Sequence, residues 1–159
     1  VYVRNIANAI VDADPDNADA YREREAAYLA VLEELDEEVR TAISGIPEDR
    51  RLLIVYHDAF QYFATEYGIE LAAALLPGNP SQQASAAAVA EIIEIVGDRE
   101  VDAVYREPQF AADAIEAIAE EAGVRVLTLY SAAFTDDVDT YVKLMRANAN
   151  ALVDGLGDG

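Results

Sequence analysis

Over residues 1–46 the apolar positions recur at helical spacing, and from residue 52 onward they gather into short unbroken runs. Val3, Ile6, Ala7 and Ile10 predict a short helix over residues 1–11, ended by Asp12-Ala13-Asp14-Pro15, because proline excludes the residue before it from helical geometry. Tyr21, Tyr28, Leu32, Leu35, Val39, Ala42, Ile43 and Ile46 then keep one helical stripe, which Gly45 and Pro47 close, predicting a helix over residues 18–44. At 1.5 Å rise per residue such a helix would span roughly 40 Å, longer than a small domain is wide. It is expected to extend beyond one lobe.

After Pro47 the pattern alternates. Strands are predicted at 52–56, 69–75, 101–105 and 124–129, and helices at 59–67, 82–96, 111–122 and 139–152. Pro77-Gly78-Asn79-Pro80-Ser81 reads as a loop with Ser81 as an N-cap. Strands alternating with helices of this length imply right-handed crossovers and an α/β fold, a four-stranded parallel sheet with helices on both faces. The unbroken apolar strands agree, since both sides of such a sheet are buried. The expected organisation is a helical segment with a long connecting helix over 1–47 and an α/β lobe over 48–159.

Composition narrows the classes. With 159 residues, 53% of them hydrophobic, the chain can bury a core without staples, and zero cysteines exclude disulfides, thiolate metal sites and a cysteine nucleophile. Eleven basic against 31 acidic side chains give a formal charge of −20, which repels nucleic acid and anionic membrane. The acids are dispersed over helix faces, as on a solvated acidic surface; this suits cation attraction or a high-salt habitat. The chain begins at Val1 with neither a basic n-region nor an apolar run of membrane length, and is expected to be a cytosolic protein lacking its start or a mature or excised piece of something longer. No GxGxxG, phosphate loop, GxSxG or HExxH pattern is present.

The strand Leu52-Leu53-Ile54-Val55-Tyr56 runs into His57, the sole histidine. In a parallel sheet the residues past the carboxyl ends of the strands share one rim, where open α/β sheets hold ligands. That rim should carry His57 and Asp58, Asn79 and Ser81, Glu107, and the segment 131–139. Imidazole with carboxylates suits a first-row divalent cation, yet imidazole also moves protons near neutral pH, so ligand and general base both remain open. Each residue also has a structural reading. His57 could hydrogen-bond a loop, Asp58 could cap the helix that follows, Glu107 could cap a turn before Pro108, and Asp139 could cap the last helix. Asp136 and Asp137 read as solvated loop charges.

His57-Asp58-Ala59-Phe60-Gln61-Tyr62-Phe63, followed by Tyr67-Gly68-Ile69-Glu70, resembles the His-Asp-Ala-Phe-x-Tyr-Phe and Tyr-Gly-Leu signature of the zinc and manganese solute-binding proteins of ABC transporters. The likeness continues in order through Pro80-Ser81, Glu107-Pro108-Gln109-Phe110 and Tyr141-Val142-Lys143-Leu144-Met145-Arg146-Ala147-Asn148. Upstream, Asp14-Pro15-Asp16-Asn17 and the long helix resemble the segment that joins the two lobes in that family. The resemblance implies two α/β lobes joined by a rigid helix, with a metal between them held by two ligands from each lobe. It assigns His57 to the third ligand, which is histidine in many zinc-type members and glutamate in many manganese-type ones, and Asp139 to the fourth. Glu107 and Asp58 would stand behind the ligands. Zinc is favoured over manganese, because imidazole suits zinc and oxygen donors suit harder ions. The family's first two ligands, both histidines of the N-terminal lobe, have no counterpart, nor have its signal peptide and lipid-anchor cysteine. The chain is therefore expected to be the C-terminal half of an extracytoplasmic receptor that hands a divalent cation to a permease.

Alone, such a half would bind metal weakly, and an uncovered apolar face near Val1 to Tyr28 would favour a homodimer. Two other classes remain: a small flavodoxin-like enzyme with His57 as general base oriented by Asp58 or Glu107, and a metal-free interaction module. The enzyme would survive chelation. The module would be indifferent to loss of His57.

Overall fold

The computed structural model describes residues 1–76, 78 and 84–157, and the chain divides into two compact units, Val1–Glu38 and Val39–Gly159. The first unit holds α1 (Tyr2–Ala13), a 3-10 turn, Pro15–Asn17, and most of α2 (Ala18–Ser44), a helix whose bounds are those the apolar stripe predicts. Asp14 organises the turn. Its carboxylate accepts from the Tyr21 hydroxyl at 2.7 Å and the Asn17 amide at 2.9 Å. These bonds hold the Asp14 carboxyl below the usual carboxylate range and push the Tyr21 phenol up. Arg22 ties the two helices by donating to Asn8 at 2.7 Å.

The second unit is built on one parallel sheet of β1 (Leu52–His57), β2 (Glu70–Leu76), β3 (Ala103–Arg106) and β4 (Arg125–Thr128), in the order β2-β1-β3-β4. Between strands lie α3 (Gln61–Tyr67), α4 (Ala86–Asp98) and α5 (Asp113–Ala122), and α6 (Tyr141–Leu156) closes the chain. Side chains alternate across a strand, so Leu52, Ile54 and Tyr56 share one face. There they join Val104, Ile92 and Val96 of α4, and Ile115 and Ile118 of α5 in one cluster. Leu53 and Val55 point to the opposite face and are fully buried too. On that side α6 comes so near β3 that a Cβ built at Gly155 would fall on the Tyr105 hydroxyl. Burial drives the Tyr105 phenol well above its ordinary titration range.

Several boundaries differ from the sequence expectation. The helix expected from residue 59 begins at Gln61, because Ala59 N–H bonds back to the His57 carbonyl at 2.9 Å and Phe60, 4% exposed, turns its ring into the core as N-cap. Asp58 therefore does not cap this helix. Asn79 and Ser81 lie outside the described residues; the helix that follows is capped by Ser85, whose hydroxyl oxygen accepts from Ala88 N–H at 3.1 Å. The last helix is capped by Thr140 rather than Asp139, the Thr140 hydroxyl accepting from Lys143 N–H at 3.3 Å.

Candidate metal centre

The chain runs from β1 outward to β2 and then back across to β3, so the order reverses between β1 and β3, where open sheets of this kind leave a crevice at their carboxyl ends. Val55 is the register partner of Tyr105, which puts His57 level with Glu107, two residues further along each chain. The two side chains meet there: His57 Nδ1 lies 3.1 Å from Glu107 Oε1. Phe110 sets its ring against His57 edge-on, centroids 5.4 Å apart, and stacks on Tyr56 behind it. The imidazole is thus confined between a carboxylate and an aromatic wall while its side chain stays 21% exposed.

Glu107 is 1% exposed, an acid buried without an arginine or lysine partner among the described residues. Its Oε2 accepts from the Gln109 amide at 2.9 Å and from the Ser131 hydroxyl. Oε2 takes two donated hydrogens and so carries none; with Glu107 as the carboxylate, Oε1 is the acceptor and Nδ1 the donor. The imidazole lone pair then belongs to Nε2. A histidine whose Nδ1 donates to a carboxylate is the arrangement in which Nε2 ligates a metal with raised basicity and fixed ring orientation.

The other side chains expected on the rim are placed as follows. Asp58 Oδ2 accepts from Gln61 at 2.6 Å, and its buried Oδ1 has no hydrogen-bond partner among the described residues. Asp139 is exposed and paired with Lys143 at 2.8 Å, which holds its carboxyl below the usual carboxylate range. Asp136 and Asp137 are exposed in a turn closed by Thr135 N–H to the Val138 carbonyl at 3.0 Å. Among the described residues no group of three or more histidine and acidic side chains is assembled to hold an ion. His57 and Glu107 are brought together; Asp139 is engaged by Lys143.

Sequence reading named Ser131's segment, Gln109 and Asn148 but assigned none of the three a role at the site. Ser131 and Gln109 complete the shell of Glu107. Asn148, 3% exposed, clamps the backbone of Tyr130 with two bonds, accepting from its N–H at 2.8 Å and donating to its carbonyl at 2.9 Å. A signal for the last was available. An asparagine on the same helical face as Leu144 and Leu152 is a polar group in an apolar stripe, and burial there requires partners.

The family model described as zinc-uptake complex component A, periplasmic (ZnuA), matches residues 1–155. The chain belongs to this family. Among relatives, the metal ABC transporter substrate-binding lipoprotein FimA of Streptococcus parasanguinis is 26% identical over 163 residues, covering 98% of this chain and 52% of FimA. The manganese-binding lipoprotein MntA of Halalkalibacterium halodurans is 26% identical over 162 residues, 98% of this chain and 53% of MntA. The solved periplasmic zinc-binding protein TroA from Treponema pallidum superposes with a TM-score of 0.89 at 26% identity, covering 98% of this chain and 59% of TroA. The chain thus spans about half the length of the relatives it matches. Its sheet corresponds to one lobe of the TroA fold. FimA is named as a substrate-binding lipoprotein of an ABC transporter, and MntA and TroA as metal-binding proteins, rather than as enzymes, so the general-base reading of His57 is set aside. Their names divide among zinc, manganese and, for MtsA of Streptococcus pyogenes, iron.

Proposed function

We propose that this chain supplies one half of a divalent-metal site in an extracytoplasmic receptor that delivers its cargo to an ABC permease. The observation that carries the reading is the His57–Glu107 pair at the reversal point of the sheet, in a member of the ZnuA family. His57 would ligate through Nε2, with Glu107 orienting the ring. Asp139 would ligate by exchanging Lys143 for the metal. Two further ligands would come from a lobe corresponding to the part of the relatives that this chain does not cover, with residues 1–47 as the joining segment and 48–159 as the metal-binding lobe. Zinc is the preferred cargo and manganese the runner-up, because an imidazole donor favours the borderline ion over the harder one.

Neutral imidazole and ionised carboxylate are the binding forms, so protons compete with the metal. Calorimetric titration of zinc and manganese into the 159-residue chain tests the reading. Weak zinc binding, weaker manganese binding and loss of the zinc signal in His57→Ala are expected. Tight binding that His57→Ala leaves intact would overturn it.

A further inference from the structure

We infer that Ser131, assisted by Gln109, is a positioning residue that selects the tautomer of His57 through Glu107. The inference rests on the metal-site reading above for its consequence, though not for its geometry. Gln109 has one amide nitrogen with two hydrogens, and that nitrogen lies 2.9 Å from both Glu107 Oε2 and Ser131 Oγ. With a Gln109 hydrogen directed at Oγ, the single hydrogen of the Ser131 hydroxyl is left for Glu107 Oε2. The three side chains form a closed triangle in which every hydrogen has one destination. Both hydrogens that reach the carboxylate from this side end on Oε2, and the hydrogen-bond partner of Oε1 among the described residues is His57 Nδ1 at 3.1 Å.

Ser131 is the side chain that makes this assignment firm. Gln109 is exposed and can turn to water, whereas Ser131 is half-buried and follows Tyr130, whose N–H and carbonyl are both held by the buried Asn148. The hydroxyl is therefore delivered to Glu107 by the clamp that α6 places on the chain leaving β4. Without it, Oε2 loses its anchored donor and the carboxylate is free to rotate. Nδ1 then loses a fixed acceptor, and the ring is released to carry its hydrogen on Nε2, the nitrogen a metal requires bare. Ser131 also opens the loop that carries Asp139, so one buried carboxylate is bonded to both the imidazole and the root of that loop.

The sole histidine makes the test direct, because long-range 1H–15N spectra of the chain contain one imidazole. At mildly alkaline pH, without metal, the wild-type ring is expected as the Nδ1–H tautomer. Ser131→Ala should raise the Nε2–H population, Gln109→Met should raise it less, and Ser131→Thr should restore the wild-type pattern. Zinc titration followed at the same ring nitrogens should give an affinity about tenfold lower in Ser131→Ala, again restored by threonine. A folded Ser131→Ala chain with the wild-type tautomer would overturn the inference. Should that variant not fold, an unchanged tautomer in Gln109→Met together with Ser131→Thr failing to match wild type would do the same. Zinc that leaves the wild-type ring resonances unmoved would instead defeat the metal-site reading, and the metal-free tautomer comparison would still judge Ser131.

Discussion

The amino ends of the sheet and the buried carboxylate beside His57 treat acidic side chains in opposite ways. At the amino ends, Asp102, Glu70 and Asp154 are met by Arg50, Arg99 and Arg125, and all six side chains are between 32% and 62% exposed. At the carboxyl ends, Glu107 is 1% exposed and takes its hydrogen bonds from a histidine, a serine and a glutamine. In a chain with eleven basic and 31 acidic side chains, guanidinium groups are scarce. In these three pairs they sit where water already solvates the acids, and Glu107, buried at 1% exposure, does without them. An arginine beside Glu107 would satisfy the carboxylate more strongly, but it would compete with His57 for Oε1 and set a fixed positive charge beside the site proposed above for a cation. Neutral donors satisfy the acid and leave its charge directed at the imidazole.

Substitutions at the two ends should therefore differ in size. Glu107→Ala strands the Ser131 hydroxyl, the Gln109 amide and His57 Nδ1 together, and is expected to lower unfolding free energy by about 2–3 kcal/mol in urea melts. A loss below that of an exposed ion pair would erase the distinction. Arg99→Ala, which removes a pair at 3.0 Å from Glu70, should cost less than about 1 kcal/mol, and the cost should shrink further as salt is added. A salt-independent loss of the same size as Glu107→Ala would invert the comparison. The smallest expected effect is at Asp139. Lys143→Met should raise the titration midpoint of its carboxyl, followed by carbonyl-carbon NMR. The sign follows from linkage: a carboxyl held low when folded adds stability above its ordinary range and loses it as pH falls through the folded value. Without Lys143 the folded value returns toward the ordinary one, so this contribution and its dependence on pH shrink together. A midpoint that does not move would mean that the 2.8 Å contact has no electrostatic weight in solution.

Much of this architecture was legible in the chain. Unbroken runs such as Leu52 to Tyr56 marked strands covered on both sides, and the stripe through α2 fixed that helix at both ends. His57 and Glu107 were expected on one rim because parallel strands share a carboxyl edge, and the register brings them within hydrogen-bond reach. Capping residues were harder to read. Asp58, Ser81 and Asp139 all have the right chemistry for an N-cap, but the choice depends on where the chain turns into the helix, and Phe60, Ser85 and Thr140 hold that place. The donors around Glu107 were not legible, because Gln109 and Ser131 meet 22 residues apart in sequence and neither position carries a periodic signal.

Gly155 sits in the last turn of α6, where no side chain fits against Tyr105, and Asn148 grips Tyr130 in the middle of the same helix. These two points set the register of α6 against the sheet, and the helix serves as a ruler lying across it. The aspartate just ahead of its first turn is the free end of that ruler, roughly 24 Å from Gly155 at helical rise. The reach of Asp139 is thereby calibrated by a missing methyl group on the far side of the domain.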